Sequence, residues 1–310
     1  MSTRPLALIT GISGFVGRHL QCFLTSQDWQ IRGFDRQAVH GEYNVYIGDI
    51  TNLKACKQVL MDQKPDVIFH LAGLIKANEP ERLFQTNLLG TVALFEGILA
   101  TDQRPRVVIT SSSAVYGPGL GLRPITERFA LRPQTHYGLS KAAQEMSALR
   151  YYHAYGVPVI CIRTFNLLGP GLSPQLACSS FAQQIALSEK IGHPAVISTG
   201  DLHAKRDFVD VRDAVRAYTM LAEQGKPGDT YNVCSGEAVS IRDCLDILLK
   251  QARVPVEAVL DPAKVQKNDV PIQIGSAKKL RDVTGWNPQI TLKQSLIDLL
   301  NDWRQRVEME

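Results

Sequence analysis

Short apolar segments alternate with helical segments through the first half of this 310-residue chain, and this alternation constrains its fold most. The segments that predict buried strands are residues 6–10, 31–35, 67–71, 107–110 and 159–162. The helix after the first strand has one apolar stripe, made of Val16, Leu20, Phe23 and Leu24. Apolar strands separated by helices predict a parallel sheet covered on both faces. We therefore expect an α/β fold, a Rossmann-type doubly wound parallel sheet.

A glycine-rich turn connects the first predicted strand to its helix, with Gly11, Gly14 and Gly17 at three-residue intervals. Such a turn lets the backbone approach a phosphate group that the helix N-terminus attracts. Asp35 ends the second predicted strand, where a carboxylate can accept a hydrogen bond from the ribose 2′-hydroxyl of NAD. Arg36 beside it can accommodate the 2′-phosphate of NADP. The sequence therefore predicts a dinucleotide and leaves open the choice between NAD(H) and NADP(H).

Tyr137 and Lys141 lie four residues apart in a predicted helix. Side chains at this spacing lie on one face of the helix, about 6 Å apart along its axis. A lysine there stabilises the phenolate and lowers the pKa of the tyrosine. With the glycine turn, this pair predicts a proton-transfer group beside a nicotinamide, and hence redox chemistry at a carbinol or a ketone.

Charge and composition argue against several other classes of protein. The net charge is +4, from 34 basic and 30 acidic residues without a basic run, so we expect no nucleic-acid partner. The seven histidines lack metal-ligand spacing, so we expect no metal. No apolar stretch approaches the roughly 18 residues of a membrane span, and the first residues lack a signal-peptide pattern. We expect a cytoplasmic protein with no membrane partner.

The six cysteines are scattered and contain no Cys-x-x-Cys pair, which favours a reducing compartment without disulfides. Three of them lie in apolar segments and are expected to be buried thiols: Cys22, Cys161 and Cys234.

The pattern changes after about residue 165, where Gly169-Pro170-Gly171 interrupts the chain. Helical stretches then mix with short extended pieces such as 195–198, and the last helix has a regular apolar face. We predict an NAD(P)-binding Rossmann domain over residues 1–165. Residues 166–310 are predicted to form mainly a smaller substrate domain, with some segments, such as 231–234, returning to the Rossmann sheet.

Six further motifs follow one another along the chain. They are Gly48-Asp49-Ile50, His70-Leu71-Ala72-Gly73, Thr86-Asn87-Leu88-Leu89-Gly90-Thr91, Ser111-Ser112-Ser113-Ala114-Val115-Tyr116-Gly117, Arg163-Thr164-Phe165-Asn166 and Arg206-Asp207-Phe208-Val209-Asp210-Val211. Together with the glycine turn and Tyr-x-x-x-Lys, they resemble the extended short-chain dehydrogenase/reductase family, in its NAD-dependent epimerase/dehydratase branch acting on nucleotide sugars. The resemblance covers nearly the whole chain.

This resemblance implies the residues of the site. The cofactor-binding residues would be Gly11, Ser13, Gly14, Phe15, Val16, Gly17, Asp35, Arg36, Asp49, Ile50, Leu71, Ala72, Gly73, Tyr137 and Lys141. The catalytic residues would be Ser112, Tyr137 and Lys141, with the Ser112 hydroxyl donating to a substrate ketone. The substrate-binding residues would be Ser112, Ser113, Asn166, Arg206 and Lys267.

Three of these residues also have a purely structural interpretation. Ser112 could cap a backbone group in a turn, and Ser113 could be structural. Arg206, which the resemblance pairs with the substrate diphosphate, could instead form a salt bridge with Asp207 or Asp210.

The resemblance leaves more than one reaction open. The 4,6-dehydratases of the family place an acidic residue just before Val-Tyr-Gly, whereas this chain has Ser113-Ala114 there, which disfavours dehydration. A C4 reductase and a 4-epimerase with tightly bound NAD remain. A scaffold protein that keeps the cofactor fold is disfavoured by the intact Ser112, Tyr137 and Lys141.

The C-terminal motifs favour the reductase. Residues 231–236, 274–276 and 284–288 are similar to those of reductases that convert GDP-4-dehydro-6-deoxy-D-mannose to GDP-D-rhamnose. We therefore expect an NAD(P)H-dependent reduction of the C4 ketone of a nucleotide sugar, with a GDP-linked sugar favoured. The segment 266–271 departs from those enzymes, since an expected arginine is absent and Lys267 offers only a point charge.

The resemblance also implies a homodimer. Members of the family pair the helix after Asn87 and the helix carrying Tyr137 with their counterparts. The apolar candidates for this interface, several of which must instead face the sheet, are Val92, Leu94, Phe95, Leu139, Ala142, Met146 and Leu149.

Overall fold

The computed structural model describes residues 4–37, 44–119, 121–264 and 270–309, and its largest element is a seven-stranded sheet in which every neighbouring pair is parallel. Its strands are β1 (Leu6–Thr10), β2 (Gln30–Asp35), β3 (Val45–Ile47), β4 (Val67–His70), β5 (Arg106–Ser112), β6 (Val159–Thr164) and β10 (Thr230–Val233). Their order across the sheet is β3-β2-β1-β4-β5-β6-β10. The predicted α/β class with a doubly wound sheet is confirmed.

Helices cover both faces of this sheet because both faces of its strands are apolar. They are α1 (Phe15–Ser26), α2 (Leu53–Gln63), α3 (Pro80–Phe84), α4 (Gly90–Ala100), α5 (His136–Tyr155) and α7 (Val211–Gln224). Successive strand residues enter different cores: Ile9 packs with the core under α1 and α7, whereas Leu8 packs with the core under α2, α4 and α5. A π-helical turn, Gln85–Leu89, joins α3 to α4.

The C-terminal half forms a second, smaller unit. Its elements are β7 (Asn166–Leu168), α6 (Ala177–Ile191), β8 (Ala195–Thr199), β9 (Lys205–Asp210), β11 (Ala238–Ser240), α8 (Ile241–Leu249), β12 (Val256–Leu260), β13 (Ile272–Gln273) and α10 (Leu292–Met309). Helix α9 (Lys278–Thr284), between β13 and α10 in sequence, lies outside this unit. Strand β9 is central, since it pairs with β7, β11 and β13, and β8 pairs separately with β12. Helices α6, α8 and α10 pack together beside these strands.

Three elements from the second half lie with the first unit. Strand β10 extends the main sheet beyond β6, α7 packs against α1, and α9 packs against β10 and α7. The chain therefore crosses between the two units several times after residue 165.

One helical run, Pro80–Ala100, is long and apolar enough to cross a membrane by length and composition alone, with a mean hydropathy of 1.3 in its most apolar window. Half of that window is buried, and α4 packs against α2 and α5. Leu94, Phe95 and Ile98 on α4 are fully buried in the core, which explains this composition. The absence of a membrane partner stays a prediction.

One expectation about burial is wrong in part, and another is met. All six cysteines are free thiols, but Cys22 is exposed because its position on α1 lies off the stripe that faces the sheet. Among the residues proposed for a dimer interface, Leu94, Phe95 and Ala142 are buried inside the chain. Leu139 and Met146 are exposed, and Leu89 lies with them at the surface.

Candidate active site

A cavity of about 940 Å³ opens at the carboxyl ends of the central strands of the main sheet, beside a smaller cavity of about 190 Å³. Ligands of open parallel sheets bind at this end of the strands. The two cavities share five lining residues: Gly11, Gly14, Leu71, Gly73 and Leu74. The glycine turn therefore lies where one cavity meets the other.

The glycine turn brings the backbone of β1 close to that of the segment after β4. Gly11 has φ +73°, and a Cβ there would lie 2.8 Å from the Ala72 nitrogen. A Cβ at Gly17 would lie 2.4 Å from the Gly11 oxygen. Gly14 is the N-cap of α1 and has no side chain, so within the described residues no capping side chain accepts from the first backbone N–H groups of this helix. Phe15 and Val16 follow it and line the larger cavity.

Asp35 lies at the smaller cavity, and its carboxylate is held by the glycine turn itself. Its Oδ2 accepts hydrogen bonds from the Ser13 backbone nitrogen at 2.9 Å and from the Ser13 hydroxyl at 2.8 Å. Its Oδ1 accepts from the Arg36 nitrogen at 2.7 Å. The remaining predicted residues on this cavity are Asp49, Ile50 and Ala72. The structure thus brings the predicted adenosine-side residues together.

Helix α5 carries Tyr137 and Lys141 into the larger cavity from its first turns. Thr135 caps the helix, its hydroxyl accepting from the Gly138 nitrogen at 3.0 Å. A Cβ at Gly138 would lie 2.6 Å from the Ala114 oxygen. Glycine at this position therefore allows α5 to pack against the loop that follows Ser112.

Burial controls the pKa values of the pair. Burial raises the pKa of the Tyr137 phenol, and a hydrogen bond with Ser112 lowers it in part. Burial lowers the pKa of Lys141 to about 7, against the opposing effects of Glu145 and Cys161. The expectation of a depressed tyrosine pKa thus fails for the cofactor-free protein, because desolvation is the dominant effect on both groups.

Ser112 lies at the end of β5 and lines the larger cavity. Its hydroxyl accepts from the Ala114 nitrogen at 3.2 Å and is hydrogen-bonded to Tyr137. It therefore both caps a turn and contacts the phenol, so its two interpretations are compatible.

The predicted substrate residues divide into three groups. Asn166 and Arg206 line the larger cavity, Asn166 donating to the Asp207 carbonyl at 3.1 Å. Ser113 lines neither cavity, since its hydroxyl is buried and donates to Gln273 Oε1 at 2.9 Å. Lys267 lies outside the described residues.

The two carboxylates that could pair with Arg206, Asp207 and Asp210, form hydrogen bonds or ion pairs with other residues. Asp207 accepts from the Ser235 hydroxyl at 2.7 Å and from the Gly275 nitrogen at 3.0 Å. Asp210 forms an ion pair with Arg212 at 2.8 Å.

Sequence reasoning missed several residues that line the larger cavity. Thr164 and Tyr218 are buried there, and their hydroxyls lie 2.6 Å apart. Thr164 belongs to the Arg163–Asn166 motif, so this motif could have pointed to it as a cavity residue. Tyr218 on α7 and Lys264 before the 265–269 segment had no local signal, because only the tertiary fold brings them to the cavity.

The residues at these two cavities fit a nicotinamide dinucleotide. The glycine turn leaves no room for a Cβ at Gly11, and uncapped N–H groups begin α1, as a diphosphate requires. The buried Ser111 hydroxyl also lines the larger cavity and has no hydrogen-bond partner within the described residues. These groups would hold the diphosphate near Gly11 and the adenosine ribose near Asp35.

The chain is similar to known enzymes that act on nucleotide sugars. The profile of the family described as GDP-mannose 4,6 dehydratase matches residues 8–299. The chain is 36% identical to a GDP-6-deoxy-D-mannose reductase from Pseudomonas aeruginosa, over 97% of this chain and 98% of that protein. It is 25% identical to a UDP-glucose 4-epimerase from Halalkalibacterium halodurans, over 96% of this chain and 95% of that one.

A solved structure, RMD from Pseudomonas aeruginosa complexed with NADPH, superposes with a TM-score of 0.86. It is 34% identical in sequence, and the match covers 97% of this chain and 99% of that one.

We predict that Lys141→Met stabilises the cofactor-free protein. Because the folded-state pKa of Lys141 lies near 7, below its ordinary 10.5, the unfolded chain binds more protons between these two values. Removing this buried charge should raise the free energy of unfolding by about 1–3 kcal/mol at pH 7, and the gain should shrink as the pH rises toward 10.5. Chemical denaturation at several pH values measures it.

The matched control is Lys293→Met, which changes an exposed lysine on α10. Its effect should stay within about 0.5 kcal/mol at every pH. A Lys141→Met variant less stable than the wild type at pH 7 would contradict the assigned cost of the buried charge.

Proposed function

The chain belongs to the GDP-mannose 4,6-dehydratase family, and we propose that it reduces the C4 ketone of GDP-4-dehydro-6-deoxy-D-mannose to GDP-D-rhamnose, with NADH or NADPH as cofactor. One observation carries the proposal. Ser112, Tyr137 and Lys141 line one cavity together with the glycine turn of the dinucleotide site. The similarity to a GDP-6-deoxy-D-mannose reductase over nearly the whole chain supports the choice of substrate.

Dehydration is disfavoured by the residues that follow Ser112. Ala114 has no group that can take a proton. The Ser113 hydroxyl is buried and donates to Gln273. The position where dehydratases carry an acidic residue therefore offers no acid or base to the cavity.

The chain's own residues handle the substrate oxygen. When bound, the reduced nicotinamide supplies the hydride for the ketone carbon. The Ser112 hydroxyl polarises the carbonyl through a hydrogen bond, and Tyr137 gives its proton to the same oxygen. Since burial raises the pKa of Tyr137, its phenol is protonated at neutral pH and ready to act as the acid. The Lys141 ammonium stabilises the phenolate left on Tyr137.

The nucleotide part of the substrate has a separate set of residues. Arg206 on β9 and Asn166 on β7 lie on neighbouring strands and line the same cavity. A guanidinium suits a diphosphate because it donates paired hydrogen bonds. We assign Arg206 to the diphosphate and Asn166 to the diphosphate or the sugar.

We predict that the protein consumes reduced cofactor in proportion to product. With GDP-4-dehydro-6-deoxy-D-mannose, absorbance at the reduced-nicotinamide band should fall by one equivalent for each equivalent of reduced sugar. Product analysis by NMR identifies the sugar. The protein could instead interconvert two hydroxyl sugars without added cofactor and show no ketone-dependent loss of NAD(P)H. That result would contradict the proposed reductase activity and indicate a 4-epimerase.

We predict that Tyr137→Phe lowers kcat by about 10²–10⁴-fold, the contribution of general acid catalysis. The dissociation constant of NADH, measured by fluorescence, should stay close to that of the wild type because the ring is retained. Tyr155→Phe is the matched control, since it removes an exposed phenol from the other end of α5. A Tyr137→Phe variant with wild-type kcat would refute the assignment.

We further propose that the protein is a homodimer joined through α4 and α5. These helices pack side by side and expose Leu139 and Met146, with Leu89 just before α4. The exposed side-chain fractions are 48%, 66% and 53%, respectively, which a partner surface would cover. Two-fold dimers are the commonest oligomers, and their interface joins one surface patch to the same patch of the partner.

Light scattering at micromolar concentration should give twice the monomer mass. Met146→Arg should shift the protein to monomer, because it places a charge in the proposed interface. Met61→Arg is the control, since Met61 is also exposed but lies on α2. A monomeric wild type, or dissociation by both variants alike, would overturn the proposed interface.

A further inference from the structure

We propose that Gln273 is a positioning residue that couples nucleotide binding at β9 to the placement of Ser112. The inference rests on the proposed function, because it takes Arg206 as a ligand of the nucleotide and Ser112 as the group that polarises the ketone. Gln273 lines neither cavity and acts through its neighbours.

Gln273 holds the loop after Ser112 with its whole side-chain amide. Its Oε1 accepts from the Ser113 hydroxyl at 2.9 Å. Its Nε2 donates to the Ser113 carbonyl at 3.0 Å and to the Gly117 carbonyl at 3.1 Å. The side chain is buried, so these contacts are shielded from water. The amide therefore spans the two ends of the turn that begins directly after Ser112.

The same residue belongs to the strand beside Arg206. In the parallel pairing of β13 with β9, Gln273 is the register partner of Arg206. Arg206 lines the larger cavity, and its guanidinium donates to the Val270 carbonyl just before β13. A movement of Arg206 would therefore displace Gln273 through the backbone pairing of β13 with β9 and through the contact with the Val270 carbonyl.

The adjoining segment fixes β13 in place. Asp207 is fully buried and accepts from the Gly275 nitrogen at 3.0 Å. Ile125 donates its N–H to the Ile274 carbonyl at 2.8 Å. The Gln273 side chain points toward the loop after Ser112, where its amide makes three hydrogen bonds. Strand β13 thus connects β9, which carries Arg206, to the loop that follows Ser112.

The coupling matters because the reacting groups tolerate little displacement. Misplacing a catalytic group by about 1 Å can cost roughly 10²-fold in rate. The Ser112 hydroxyl depends on the loop that Gln273 holds, since it accepts from the Ala114 nitrogen at 3.2 Å. We expect nucleotide binding to fix this loop, so that Ser112 is placed when the substrate is bound.

Hydrogen exchange with GDP as the probe tests the coupling without turnover. In the wild type, saturating GDP should slow exchange of the backbone amides in residues 113–117 by about 10-fold or more. In Gln273→Leu the slowing should be lost, although GDP still binds with a similar dissociation constant by calorimetry. Gln103→Leu is the matched control, because Gln103 donates to the Leu60 carbonyl far from both cavities and should leave the slowing intact.

A double-mutant cycle tests the effect on catalysis. Gln273→Leu should lower kcat by about 10–100-fold in the wild-type background. In the Ser112→Ala background it should lower kcat by no more than about 2-fold, because the group it positions is already absent. A purely structural residue would lower kcat by the same factor in both backgrounds. If Gln273→Leu fails to fold, Ser113→Ala removes one of the contacts and should show a smaller effect of the same pattern.

The outcomes separate the two proposals. A wild type that neither binds GDP nor reduces the ketone would overturn the proposed function, and the coupling with it. The coupling alone would be overturned if the wild type binds GDP and reduces the ketone, but Gln273→Leu shows the same slowing of exchange as the wild type. It would also be overturned if Gln273→Leu lowers kcat by the same factor in both backgrounds.

Discussion

The site depends on how buried polar contacts fix α5, the helix that carries Tyr137. Asn87, in the π-helical turn before α4, donates to the Ser140 hydroxyl at 2.9 Å, and Ser140 donates to the Tyr137 carbonyl at 2.8 Å. Farther along α5, Glu145 forms a buried bidentate ion pair with Arg163 on β6. Such contacts are costly to break in the interior. They therefore fix both the rotation and the position of the helix along the sheet.

The charged groups on and beside α5 are buried near Tyr137, where burial of a charge lowers the stability of the fold. Lys141, Glu145 and Arg163 are all buried, at 6%, 2% and 6% exposure, and together carry an excess of one positive charge when ionised. Glu145 is already paired with Arg163, so it compensates Lys141 only in part, and burial dominates the pKa of the lysine. An uncompensated cation at the cavity attracts a developing phenolate. The active site thus retains an energetic cost that a packed core would avoid.

The sequence predicted those parts of the fold and the site that depend on local pattern. Strand β1 and helix α1 follow from apolar spacing, and the Tyr137–Lys141 pair follows from the four-residue repeat of a helix. Tyr218 and Gln273 could not be found in this way, because their contacts join residues far apart in the chain. The direction of the Tyr137 pKa was also unpredictable, since it depends on burial and not on the neighbouring lysine alone.

Two strands from the second half of the chain hold the loop after Ser112 from two directions. Gln273 on β13 forms hydrogen bonds with both ends of this loop, at Ser113 and Gly117. Asn232 on β10 accepts a hydrogen bond from the hydroxyl of Tyr116, in the same loop, at 2.7 Å. Asn232 is fully buried and also donates to the Ile125 carbonyl at 2.9 Å. Because β13 belongs to the second unit, the first unit alone lacks one of the two strands that hold this loop. The position of the loop after Ser112 therefore depends on contacts with both units.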